Sequence, residues 1–172
     1  MPASRISIEH AKKDKLFYFV ANVVIYREDG KCLILRRSET EKVHPGKYAL
    51  PGGKLEWKDL NIENPARRDG EVLAFDDAVE ELLVREAKEE SGVDIDKHLK
   101  YVSNVVFVRP DGIPVVMVLF AAKYLGCEVV LEEGCFTDYA WVDAEEVKKQ
   151  DCISGVPEQV KMAIELMKKQ SA

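Results

Sequence analysis

Several things are missing from this sequence, and each absence removes a class of explanation. There are four cysteines, Cys32, Cys127, Cys135 and Cys152, with no C-x-x-C and no pair at metal-ligand spacing. A zinc-thiolate centre and a disulfide framework are both excluded as organising devices, and reduced thiols are expected. No long apolar run occurs: the longest, Leu16 to Tyr26, is broken by Asn22 and falls far short of the ~20 residues of a membrane span. No charged-then-apolar-then-small leader pattern opens the chain, so cytoplasm is the expected location. Positive charge is not in excess, with 25 Lys and Arg against 31 Asp and Glu and a net charge of -6. Long nucleic acids, which are held by stripes of Lys and Arg, are therefore disfavoured partners. A small phosphorylated ligand is not disfavoured, because it can be held through a cation that acidic side chains carry. No internal repeat, low-complexity tract or Pro/Gly/Ser linker divides the chain.

What remains is 172 residues, 47% hydrophobic and 33% charged, the profile of a single globular domain spanning 1–172. Residues 1–15 read as a loose polar lead-in. Phe17 to Tyr26 is β-branched and aromatic and predicts a buried strand, with Asp29-Gly30 turning it into a partner over Lys31 to Arg36. Thr40 to Lys47 predicts a loop, Tyr48 to Leu50 a short extended piece, and Lys54 to Trp57 another short strand. Lys58 to Glu71 carries no period and reads as a surface loop. Asp76 to Ser91 predicts a helix, capped by Asp76 or Asp77 and ended by Gly92. Strands follow over Tyr101–Arg109, Val115–Tyr124 and Tyr139–Val142, then a short helix over Asp143–Lys149 and an amphipathic one over Pro157–Lys169. This mixture predicts an α/β domain, a mixed sheet with helices on its faces.

The helix over Asp76–Ser91 is anomalous. At about 100° per residue, with Glu86 at zero, Val79, Leu82 and Leu83 lie near +20°, -40° and +60°. Glu89 and Glu90 fall near -60° and +40°, so three carboxylates share the apolar stripe. Glu81, Lys88 and Ser91 take the opposite side. Ordinary surface helices keep acids off that stripe, and like charges so spaced repel, more strongly as the site dries. A divalent cation reverses the sign of that repulsion, and carboxylates without His or Cys suit magnesium or manganese over zinc. The alternative is a solvated acidic helix end, and Val84 on the expected outer face favours it.

Arg85-Glu86-Ala87-Lys88-Glu89-Glu90-Ser91-Gly92-Val93 matches every fixed position of R-E-U-x-E-E-x-G-U, the second half of the Nudix box G-x5-E-x7-R-E-U-x-E-E-x-G-U (U aliphatic). Leu50-Pro51-Gly52-Gly53-Lys54-Leu55-Glu56 resembles the loop that opens the box, and Trp141 to Val147 resembles the strand-to-helix step near the end of that fold. The chain thus resembles the Nudix hydrolases over most of 17–169. One departure is large: Gly53 is followed by 23 residues before Asp77, eight before Arg85, where the family has five. An insertion over 58–75 is therefore expected, as a solvated loop or a substrate lid that would use Arg67 and Arg68, with Asp77 in the place of the first box glutamate, where the resemblance implies a structural tie between the loop and Arg85.

The resemblance implies an α/β/α sandwich with a mixed sheet and a pyrophosphohydrolase using Mg2+, with Mn2+ possible. It implies metal ligation by Glu86, Glu89, Glu90 and the Gly52 carbonyl, with Glu86 or Glu133 taking the proton and Arg85 positioning Glu86. Glu132 competes with Glu133 for the late-loop role. Arg36, Arg37 and Lys47 are candidate phosphate contacts or surface charges. The implied substrate is a nucleoside triphosphate or a nucleoside diphosphate derivative. The spacing from Leu33 to Gly53 also fits coenzyme A diphosphatases, although Leu35, Lys42 and Leu50 depart from their pattern, and Pro110 lies near a proline of ADP-ribose enzymes. A non-catalytic nucleotide sensor, a diphosphate isomerase and an RNA-end processor are rivals, and the oligomeric state is open, a homodimer included.

Overall fold

The computed structural model describes residues 15–170; most of the expected lead-in, 1–14, lies outside them. The chain runs β1 (Tyr18–Tyr26), β2 (Cys32–Arg37), β3 (Tyr48–Ala49), β4 (Gly52–Lys54), a 3-10 turn (Trp57–Asp59), β5 (Arg67–Asp69), β6 (Val72–Ala74) and α1 (Ala78–Ser91). It continues through β7 (Asp94–Ile95), β8 (Lys100–Val108), β9 (Pro114–Gly126), β10 (Phe136–Val142), a 3-10 turn (Val147–Lys149) and α2 (Val156–Gln170).

Eight strands form one mixed sheet in the order β10-β2-β1-β9-β7, with β3 on β2, β4 on β1 and β8 on β9. β1 and β9 are parallel, with Val23 opposite Phe120, and the remaining pairs are antiparallel. Alternation along the two central strands builds a core on each face. Ala21, Val23, Ile25, Leu33 and Leu35 pack with Leu82, Leu83 and Ala87 of α1. Val24, Cys32 and Ile34 pack with Val160, Ala163 and Ile164 of α2. The result is an α/β/α sandwich. Among the described residues no helix is long and apolar enough to cross a membrane.

The structure corrects several local expectations. The short strand after Pro51 is Gly52–Lys54, earlier than expected, because Gly52 and Gly53 pair with Asn22 and Ala21 of β1. The stretch expected as a surface loop without a period holds a 3-10 turn at its start and the β5–β6 hairpin about Gly70, pinned by a two-pronged Arg67–Asp76 ion pair. Asp77 stands at the α1 N-terminus in the left-handed region (φ 57°) and makes no side-chain cap. After β10, Asp143 Oδ1 accepts from the Glu145 and Glu146 amides as expected of a cap, but the regular helix there is one 3-10 turn.

Candidate functional site

β4 and the last turns of α1 meet at one edge of the sheet. Gly53 lies so close to α1 that a Cβ there would stand 2.6 Å from the Glu86 carboxyl. The Gly52 amide donates to Glu90 Oε2 at 3.0 Å. Arg85 reaches back from α1 to donate to Asp59 Oδ1 at 2.9 Å and to Glu86 Oε1 at 3.2 Å. A cleft of about 270 Å³ opens between these elements, lined by Gly53, Lys54, Glu56, Lys58, Arg85 and Glu86.

Glu90 is largely buried, and its carboxyl is pushed up to about 8. Burial is the main cause; the Gly52 amide and Arg37 pull down, while the charges of Glu86 and Glu132 push up. Glu86 is raised too, by burial first, with Arg85 acting against it and Glu89 and Asp59 adding to it. Two inward carboxylates thus sit where their charged forms are disfavoured, the condition expected of functional acids.

The expected inward trio is a pair. Glu89 is 59% exposed and touches Arg85 Nε only at 3.9 Å. Ser91, expected outside, is fully buried and donates to the Ala87 carbonyl at 2.7 Å. The buried arc is rotated because residues 129–136 fold over the end of α1. Val130 and Glu132 donate their amides to the carbonyls of Ser91 and Glu90, and Val129 and Leu131 pack into the core. The same rotation brings Val84 against the core. The arc centres near +60° on the wheel, which holds Glu90 and Glu86 inside and leaves Glu89 at the rim.

Asp77 does not tie Arg85 down. Asp59 does so, with a side chain only 8% exposed. Five residues separate Gly53 from Asp59, so the glycine-side spacing of the box is intact and the extra residues enter after Asp59. Glu56 and Asp59 close the intervening turn by exchanging side-chain-to-backbone hydrogen bonds. Counting forward from Gly53 would have found Asp59. Breaking this pair leaves a mostly buried carboxylate or its guanidinium partner short of a bond, at a cost of about 1–3 kcal/mol. Asp59→Asn is accordingly expected to lower the melting temperature by several degrees and kcat/KM by roughly tenfold, an effect on the scale of a lost supporting partner. Asp77→Asn should move stability by less than about 0.5 kcal/mol; thermal melts of the two variants decide it, and equal melts would return the role to Asp77.

The remaining expected residues scatter. Arg36 donates to the Gly46 carbonyl at 3.0 Å, Arg37 donates to the Val43 carbonyl at 2.8 Å, and Lys47 pairs with Asp151. All three hold the 38–47 loop, and of them Arg37 acts on the charge of Glu90. Glu133 is exposed, and the neighbouring charge that Glu90 feels is that of Glu132. Lys54 and Lys58, which the sequence reading did not single out, line the cleft. No sequence period marks them, since their position comes from the turn between β4 and Asp59.

Among the described residues no three His, Cys, Asp or Glu side chains close into a ready-made metal cage. The open set of Glu86 and Glu90, oxygen-only and with both charged forms disfavoured by burial, fits a hydrated divalent ion that would keep several waters and take its other oxygens from substrate phosphates.

The model of the NUDIX domain matches residues 17–161. The chain belongs to the Nudix hydrolase family. Nucleoside triphosphatase NudI of Klebsiella pneumoniae (strain 342) is 30% identical over 136 residues, 74% of this chain and 83% of that protein. Among solved structures, the MutT protein of Methanosarcina mazei Go1 superposes with a TM-score of 0.61 at 23% identity, over 93% of this chain and 99% of that one. The NUDIX domain of Shewanella oneidensis NrtR, complexed with ADP ribose, gives a TM-score of 0.66 at 15% identity, over 93% and 96%. These likenesses carry the Nudix fold. Nudix hydrolases generally use divalent cations.

Proposed function

We propose that this Nudix hydrolase cleaves a diphosphate bond in a nucleoside triphosphate or a nucleoside diphosphate derivative, with magnesium as its ion. The carrying observation is the pair Glu86 and Glu90, buried beside a cleft that also holds Lys54, Lys58 and Arg85. Glu86, Glu90 and the Gly52 carbonyl, with Glu89 at the rim, would hold the ion. Such an ion would supply a more acidic attacking water and positive charge to offset the leaving phosphate. Glu86 takes the proton of the attacking water. Arg85 engages only Oε1 of Glu86 in this arrangement and so orients it without blocking it. Asp59 fixes Arg85 in turn. Lys54 and Lys58 supply positive charge for the phosphate chain. Glu133 stays a proposed accessory base, with Glu132 better placed. The similarity to a nucleoside triphosphatase favours triphosphates; ADP-ribose and coenzyme A are the alternative substrates.

Turnover on a panel of nucleoside triphosphates, ADP-ribose and coenzyme A is expected with magnesium and is expected to vanish on chelation. Glu81→Gln, on the exposed side of α1, should leave kcat/KM within about twofold of the parent. Tight nucleotide binding without turnover on any substrate would make the protein a sensor instead.

A further inference from the structure

A second cleft, of about 370 Å³, opens beside the first. Phe17, Tyr18, Phe19 and Trp57 line it, together with Lys54 and Glu56, and these last two also line the cleft at Glu86. The two hollows are therefore adjacent, with Lys54 and Glu56 shared between them. One is polar and carboxylate-bearing, and the other has aromatic residues in its lining, with Tyr18 and Trp57 exposed at it.

The aromatic walls are uncovered among the described residues. Phe17 is 47% exposed, Tyr18 43% and Trp57 37%. Burying such rings is strongly favourable, so three of them together beside the polar cleft suit a ligand with a flat apolar part. Their supports are fixed. Tyr18 starts β1, in register with Val115 of β9. Trp57 stands on the 3-10 turn that Asp59 locks to Arg85. Leu55 donates its amide to the Phe19 carbonyl at 3.1 Å, which ties the two walls together. The Lys54 ammonium lies 5.6 Å from the centroid of the Tyr18 ring, at the junction where a phosphate chain would meet an aromatic group.

We infer that this cleft is the base subsite: the planar nucleobase of the substrate stacks against Tyr18 and Trp57 while its phosphates extend past Lys54 toward Glu86. The inference rests on the proposed nucleotide hydrolysis and names the part of the substrate that gives selectivity. Base stacking on an aromatic side chain is sequence-tolerant, since every base has a π-face, so the subsite selects for a base over none more than for one base over another.

Two measurements on the full chain test it, one of them independent of turnover. The chain has two tryptophans, so Trp141→Phe leaves Trp57 as the sole indole reporter. Saturable quenching of its fluorescence by nucleoside monophosphate without divalent metal, and none by ribose 5-phosphate, is expected. No quenching, or quenching by an alkyl phosphate and not by the nucleotide, overturns the subsite. The second measurement is nucleotide preference, kcat/KM for nucleoside triphosphate over that for inorganic tripolyphosphate. In Tyr18→Ala and in Trp57→Ala this ratio should fall by roughly tenfold to a hundredfold. An unchanged ratio overturns the inference, including when both rates fall alike. If the parent hydrolyses neither substrate, the functional proposal fails while the quenching result still decides the subsite.

Discussion

Glu90→Gln is expected to lower kcat/KM by roughly a hundredfold to a thousandfold while making the metal-free protein more stable at alkaline pH. The loss follows from removing a buried negative charge where cation and phosphate are to be stabilised, on the scale seen when one preorganised electrostatic group is deleted. The gain follows from linkage. The Glu90 carboxyl is raised to about 8 from an ordinary value of 4.5, chiefly by burial, so the folded state binds its proton more tightly than the unfolded chain does. Its contribution to stability is then full below about pH 4.5 and is lost as pH rises toward 8, where the buried group must ionise. The whole loss is on the order of a few kcal/mol. Glutamine keeps an acceptor for the Gly52 amide and has no proton to lose. Melting curves at pH 5 and pH 9 should therefore converge for the variant and separate for the metal-free parent, by roughly 5–10 °C. Magnesium should narrow the parent's gap. A variant that keeps kcat/KM within threefold, or a parent with no pH slope, would remove Glu90 from the site.

Gly52→Ala should be the most damaging single methyl group in the site. A Cβ at Gly52 would stand 2.3 Å from the Ala21 carbonyl oxygen and 2.7 Å from the Asn22 Cα. Both are backbone atoms of the central strand and cannot turn aside. β4 must lift off β1, breaking the Asn22–Gly52 pairing and withdrawing the amide that Glu90 accepts. Overpacking of this kind costs about 1–3 kcal/mol or more, a fall in melting temperature of roughly 2–12 °C, with a large loss of turnover. Gly53→Ala makes the contrast. There the methyl meets the Glu86 carboxyl at 2.6 Å, and that side chain can rotate away. Gly53→Ala should cost activity through Glu86 with a smaller change in melting temperature. Equal melts for the two alanine variants would show that β4 yields as easily as a side chain does.

The buried central strands and the helix that follows the insertion were legible in the chain itself. Alternation along Ala21–Ile25 and Cys32–Leu35 divides the residues into two sets, because a strand offers only two sides; the structure packs one set on α1 and the other on α2. The Arg85–Val93 run carried the family, since helical spacing holds its charged residues in a rigid order. What that spacing leaves open is the direction of the helix as a whole. The orientation of Glu89 and Ser91 was decided by residues 129–136 lying across the end of α1, a covering that no local period announces. Arg85 likewise had two acids at plausible distances along the chain, and the choice of Asp59 over Asp77 was made by a turn that returns the former to α1 across 26 residues of sequence. Sequence determined what each segment can bury; only the folded chain decided which segments cover one another, because burial is a property of the contact between them.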